Sequence, residues 1–193
     1  GGGSDGIISG SDFSFVGGGI GNEIFSASKY SVIGGGQNNE INKLEDGDRG
    51  VGKAEYSTIA GGASNQILAH SRFSSILGGD QHQISASHTS AVGGGKNNAI
   101  QGNQNQDSTH RASNVSSFGP PRSIANTIAG GDGNTIGRST TGKTSVLGNT
   151  IAGGTSNHIF DDTIYSSILG GDENEIIESS SFATILGGQE NDI

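Results

Sequence analysis

Five histidines, the Asp161-Asp162 pair, the stretch EDGD at 45–48 and the segment GGDGNTI at 130–136 are where this 193-residue chain carries side chains that could do chemistry. Histidines at ligand spacing would bind a metal or move a proton, paired carboxylates would act as acid and base, and a glycine-aspartate turn would hold calcium. His70, His82, His88, His110 and His158 fall at unrelated places in the repeat described below, so no shared metal or triad role is expected. GGDGNTI lies near the calcium-binding nonapeptide pattern, but its interval from Gly-Gly to Ile is one residue short and the ligating aspartate is missing. Acid runs in a linker read as solvated charge. Cysteine, methionine and tryptophan are absent, which removes disulfides, thiol catalysis and Cys metal sites. The expectation is a protein that is not an enzyme, with no catalytic residues, no cofactor and no metal.

The basic residues carry a stronger pattern. Of the ten Lys and Arg, seven (Lys43, Arg49, Lys53, Arg111, Arg122, Arg138 and Lys143) sit in three stretches, 42–55, 101–124 and 137–147. Phe118 and both prolines, Pro120 and Pro121, lie in the second. Binding residues concentrate in loops carried by a rigid scaffold, so Lys43, Arg49, Lys53, Arg111, Phe118 and Arg122 are the candidate ligand-binding residues. Their chemistry points to an anionic partner, an acidic glycan or an acidic protein patch. Tolerated decoration of a scaffold is the competing reading, since long insertions cost little closure entropy. A net charge of −9 argues against nucleic acid.

The element that must carry these loops is a repeat. Number the unit with Ser at position 1, Ile at 3, Gly-Gly at 5 and 6, Asn at 9 and Ile at 11. Nine copies then close at Ile24, Ile41, Ile67, Ile84, Ile100, Ile136, Ile159, Ile176 and Ile193, with the tail of a tenth at Ile7. The steps are 17, 17, 26, 17, 16, 36, 23, 17 and 17 residues, a base period of 17 with three insertions. Thirty-six glycines with two prolines and no Gly-X-Y period exclude collagen, and 30% hydrophobic residues are lean for one globular core. The paired glycines and the Ile, Val, Ser, Thr and Asn around them argue against helix and for short strands, two per coil. The expected fold is all-β: a parallel β-roll or β-solenoid forming one repeat domain over residues 1–193. The start, GGGSDG without a methionine, reads as a fragment of a longer protein, and no membrane span or signal peptide is found.

Alternation assigns faces. Positions 1, 3 and 5 on the first strand and 9 and 11 on the second point inward, giving two Ile rows and an Asn ladder. The glycine pair is expected to make a tight reversal. Position 10, with residues such as Glu23, Glu40, Gln66 and His158, faces water. Position 4 holds Gly17, Gly34, Ala60, Leu77, Gly93, Ala129, Ala152, Leu169 and Leu186, with no polar side chain in nine copies. A strand apolar on both faces is buried on both, so Leu77, Ala129, Ala152, Leu169 and Leu186 are expected to pack against another chain. Position 0 is aromatic in six copies (Phe13, Tyr30, Tyr56, Phe73, Tyr165, Phe182). That row reads as a stacked ladder under a neighbouring subunit, with an exposed sugar-stacking platform as the alternative.

The SxIxGG stretches, such as STIAGG at 57–62, and the small or apolar position 4 resemble the head repeats of trimeric autotransporter adhesins, the YadA-like heads, in a 17-residue variant. The resemblance spans the chain. It implies a left-handed roll packed as a parallel homotrimer, and an extracellular adhesin head or stalk at the cell surface or outer membrane of a bacterium. The partners it implies are the chain itself and a host surface protein or glycan. Viral and phage receptor-binding fibres, on a virion surface, use similar solenoids, and a polysaccharide-degrading tailspike is the enzymatic alternative.

Overall fold

A computed structural model describes residues 5–7, 10–25, 28–43, 53–102, 123–138 and 146–193. Within them there is no helix; 22 short strands form three parallel sheets. The first nine-stranded sheet runs from Phe15–Val16 to Thr184–Ile185 and takes positions 2 and 3 of every coil. The second runs from Gly6–Ile7 to Glu175–Ile176 and takes positions 10 and 11. Pairing is in register from coil to coil, Thr58 on Ser75 and Ile59 on Ile76, Gln66 on Gln83 and Ile67 on Ile84. Stepping by one repeat therefore puts identical positions on top of one another.

Two strands per coil is correct for these two walls but incomplete. A third sheet of four strands, Ser87–His88, Ser123–Ile124, Val146–Leu147 and Thr163–Ile164, closes a further side over the middle coils. It uses the residues one and two places before position 0. The inward one of the pair (Ser11, Ser28, Ala54, Ser71, Ser87, Ser123, Val146, Thr163) is buried in each of these eight coils. Position 7 adds an unbroken row of single parallel bridges from Ile20 to Gln189.

Corners are made by the left-handed backbone region rather than by the glycine pair alone. Position 0 has φ between 53° and 65° in all nine coils, and position 8 has φ between 51° and 68°. At the first corner Tyr56 N–H donates to the Lys29 carbonyl of the preceding coil at 3.0 Å; at the second, Ser64 N–H donates to the Gln37 carbonyl at 2.8 Å. The second glycine of the pair has another duty. At Gly62 (φ 96°) a Cβ would lie 2.3 Å from the Gly79 carbonyl oxygen and 2.6 Å from Asn65 Nδ2. Glycine stands there because the next coil and the asparagine occupy the space a side chain would need.

The interior follows the alternation at positions 1, 3, 9 and 11 but not at position 5, where a Cβ at Gly78, Gly94, Gly153 or Gly170 would point into open space. Positions 3 and 11 form two columns that are fully buried away from the ends, including Ile33, Ile59, Ile76, Ile128 and Ile151 on one wall and Ile24, Ile41, Ile67, Ile100 and Ile136 on the other, while the terminal Val16, Ile7 and Ile193 are half-buried or exposed. Each buried Ile contributes about 1.5–3 kcal/mol by removal from water. Polar columns flank them. Asn39 Nδ2 donates to the carbonyls of Gly35 and Gly62 and to Asn22 Oδ1, each at 3.0 Å, while Asn39 N–H donates to the same Oδ1 at 3.1 Å. Asn134, Asn157 and Asn174 repeat the arrangement, so the asparagines are a structural ladder. Position 1 does likewise: Ser57 N–H donates to Ser31 Oγ at 3.2 Å, and Ser57 Oγ to the Ser71 carbonyl at 2.9 Å. Where this residue is Asn, the longer amide reaches forward to the Val146 carbonyl from Asn126 and to the Thr163 carbonyl from Asn149, both at 3.0 Å.

Candidate interaction surface

Because the interior consumes positions 1, 3, 9 and 11, the first sheet turns positions 2 and 4 outward. Leu77, Leu169 and Leu186 are 65%, 51% and 76% exposed, and Ala129 and Ala152 are exposed with them. The in-register pairing places these five side chains in one column on one face. No charged residue occupies position 2 or 4 in any coil, on a chain of net charge −9. Three members of the column have a reason within the roll. A Cβ at Gly17, Gly34 or Gly93 would meet the next coil's carbonyl oxygen at 2.2–2.3 Å, so glycine there answers to the backbone and not to a partner.

Beside this face runs the position-0 corner. Phe13, Tyr30, Tyr56 and Phe73 stack with ring centroids 5.1, 4.9 and 4.9 Å apart and planes within 8° of parallel. Tyr165 and Phe182 form a second, tilted pair at 5.7 Å. In the four-ring stack the faces cover one another and the edges meet solvent. A sugar stacks on a ring face, so this geometry overturns the reading of the row as a continuous sugar platform. Just before the rings lies an alternating charge column, Asp12, Lys29, Glu55 and Arg72. Lys29 Nζ is 3.0 Å from Asp12, which raises the lysine pKa above its ordinary value, and Arg72 pairs with Glu55.

The proposed ligand-binding residues are not brought together. Lys53 is exposed and pairs with Glu55 at 3.6 Å, so its charge is shared with a carboxylate. Lys43 ends the strand Glu40–Lys43, where a bulge interrupts the register between Ile41 and Lys43. Arg49, Arg111, Phe118 and Arg122 lie outside the described residues. Among the described residues no group of three or more His, Asp or Glu is placed to hold a metal ion. Of the histidines, His158 meets Phe160 edge-on at 6.2 Å, and His82 is built into the asparagine ladder.

What the sequence reading missed is the small inward column two places before position 0. Its signal is present: counting back from position 0 gives Ser, Ala, Thr or Val in every coil. Counting forward from position 11 hides it, because all three insertions fall in that interval. No known family model matches the chain, and no curated protein matches it.

Proposed function

We propose that the chain is an attachment module: a segment of an extracellular trimeric adhesin, in which three rolls, left-handed as in the YadA-like heads, pack side by side through the outward face of the first sheet and present loops for a host glycan or protein. The observation that carries the reading is that uncharged, side-chain-exposed face running through every coil of an acidic protein. Exposed apolar side chains aligned on one face, as Leu77, Leu169 and Leu186 are, mark interaction sites. A receptor-binding fibre of a virus or phage fits the same observation and differs only in the particle that bears it.

The experiment has two stages. Light scattering of the 19.4 kDa chain gives the mass of a trimer; a monomer at micromolar concentration ends the reading. The insertions at 42–55 and 101–124 are then cut to five residues, the length of the linker 25–29 between Ile24 and Tyr30, and adhesion to cells or glycan arrays is compared at low and high salt. Weakened adhesion by an intact trimer, with the parent's binding screened by salt over about 10 Å at 0.1 M, assigns binding to the basic loops. Unchanged adhesion assigns it to the roll.

A further inference from the structure

Four columns change character at a single step, between the coil closing at Ile84 and the coil closing at Ile100. The ring stack ends at Phe73 and is followed by Thr89. The charge column passes from Arg72 to His88 and then to Ile124. The third sheet begins, with Ser87–His88. In the asparagine ladder, His82 replaces asparagine. The two long sheets cross the step unbroken, with Ser75–Ile76 paired to Ala91–Val92 and Gln83–Ser85 to Ala99–Gln101.

His82 is 1% exposed. Its backbone N–H donates to Asn65 Oδ1, and its ring Nδ1 accepts from Asn98 N–H, both at 3.1 Å. The imidazole thus substitutes for an amide oxygen only while Nδ1 is unprotonated, which places the ring hydrogen on Nε2. Nε2 closes no hydrogen bond, whereas Asn65 Nδ2, one coil earlier, donates to the carbonyls of Gly61 and Gly79 at 3.0 and 3.1 Å. We propose that this step is an acid-operated seam: protonation of His82 opens the roll between these two coils while the stacks on either side stay folded.

A proton on Nδ1 would face the Asn98 N–H, donor against donor, and would leave a charge inside a wall that has no acid within it. The charged groups on the adjoining turns are Asp80 in the same coil and Lys96 in the next, an exposed pair 3.9 Å apart. The preceding coil presents only Ala63, Ser64, Asn65 and Gln66 there, and the facing first-sheet strand offers Ser74 and Ile76. Burial holds the His82 pKa below the ordinary histidine value, while the backbone of Gly95 and Asn98 beside the ring and, less strongly, the Asp80 carboxylate pull the other way.

The sign follows from linkage. With the folded pKa depressed, stability is full above the unfolded value of about 6.5 and is lost as pH falls from there toward the folded value, by up to about tenfold in the folding equilibrium per pH unit. Exchange of backbone amides in the full chain, corrected for intrinsic rate, is compared at pH 7.5 and 5 for the parent and His82→Asn. The substitution restores the ladder residue found in the other eight coils, so folding is retained. The proposal expects the parent, at pH 5, to lose protection at Gln83–Ser85 and Ala99–Gln101 before Thr58–Ile59 and Thr150–Ile151, and expects His82→Asn to keep it. Protection lost evenly along the roll, or lost in the same pattern by His82→Asn, overturns it.

Discussion

In the coil closing at Ile67 two adjacent glycines have opposite tolerances, and the difference shows what a repeat motif conceals. Gly61 has ordinary φ, and a Cβ there meets nothing closer than the Gly35 carbonyl oxygen at 4.0 Å; at Gly62 the Cβ would meet backbone of the next coil at 2.3 Å with φ at 96°. Gly61→Ala is therefore expected to change stability by less than about 1 kcal/mol, and Gly62→Ala to cost several times that, because overpacking and left-handed strain add. Midpoints of denaturant unfolding compare the two, and equal losses would mean the coils do not approach as closely as stated. The sequence signalled that both glycines matter, but not that only the second is irreplaceable. That distinction depends on the spacing between coils, which no single copy of the repeat encodes. The asparagine was more transparent, since a buried amide needs several partners and only a stack of identical coils supplies them at every step.

At the scale of the coil, the strands are two residues long in most turns, so the corners decide the shape as much as the strands do. Each coil places non-glycine residues in the left-handed region at position 0 or 8, at a cost of roughly 1–2 kcal/mol apiece. At position 0 stacking of aromatic rings offsets this, at about 0.5–1.5 kcal/mol per pair. Gln81, at position 8 with φ 60°, has an exposed side chain and no such compensation. Gln81→Gly is expected to be neutral or to stabilise by about 0.5 kcal/mol, and Gln81→Val to destabilise by 1 kcal/mol or more. Thermal unfolding followed by circular dichroism checks the order; a more stable valine variant would contradict the corner assignment. These corners were only partly legible. Alternation fixes which residues of a strand point inward, and that part of the sequence reading holds for both Ile rows, but alternation says nothing of where a chain turns. Position 8 holds Gly, Asn, Ser, Gln or Glu and no β-branched or apolar side chain, a trace of its left-handed backbone too diffuse to mark a corner in any one copy.

Across the whole molecule, the outward face of the first sheet carries a regularity that solvent does not require. Large and small residues are matched within a coil: Phe15 and Val32 stand with Gly17 and Gly34, Thr58, Thr127 and Thr150 with Ala60, Ala129 and Ala152, and Ser75 and Ser167 with Leu77 and Leu169. Only Ala91 with Gly93 and Thr184 with Leu186 depart. At Gly17, Gly34 and Gly93 the small member is set by the next coil's backbone, so the matching bears on the proposed assembly only where position 4 carries a side chain; there, a face that keeps its bulk level while changing its residues is suited to lie against another surface. Replacing Leu77, Leu169 and Leu186 together by Glu puts three carboxylates on that face. If it is buried between chains, each uncompensated charge costs several kcal/mol, and the solution mass is expected to fall to that of one chain while the β-signal in circular dichroism persists, because none of the three side chains takes part in the roll's own core. Thr135→Glu, at position 10 between Ala99 and His158, adds charge to the opposite wall and is expected to leave the mass unchanged. A triple variant that keeps the parent's mass would show that this face does not hold the chains together.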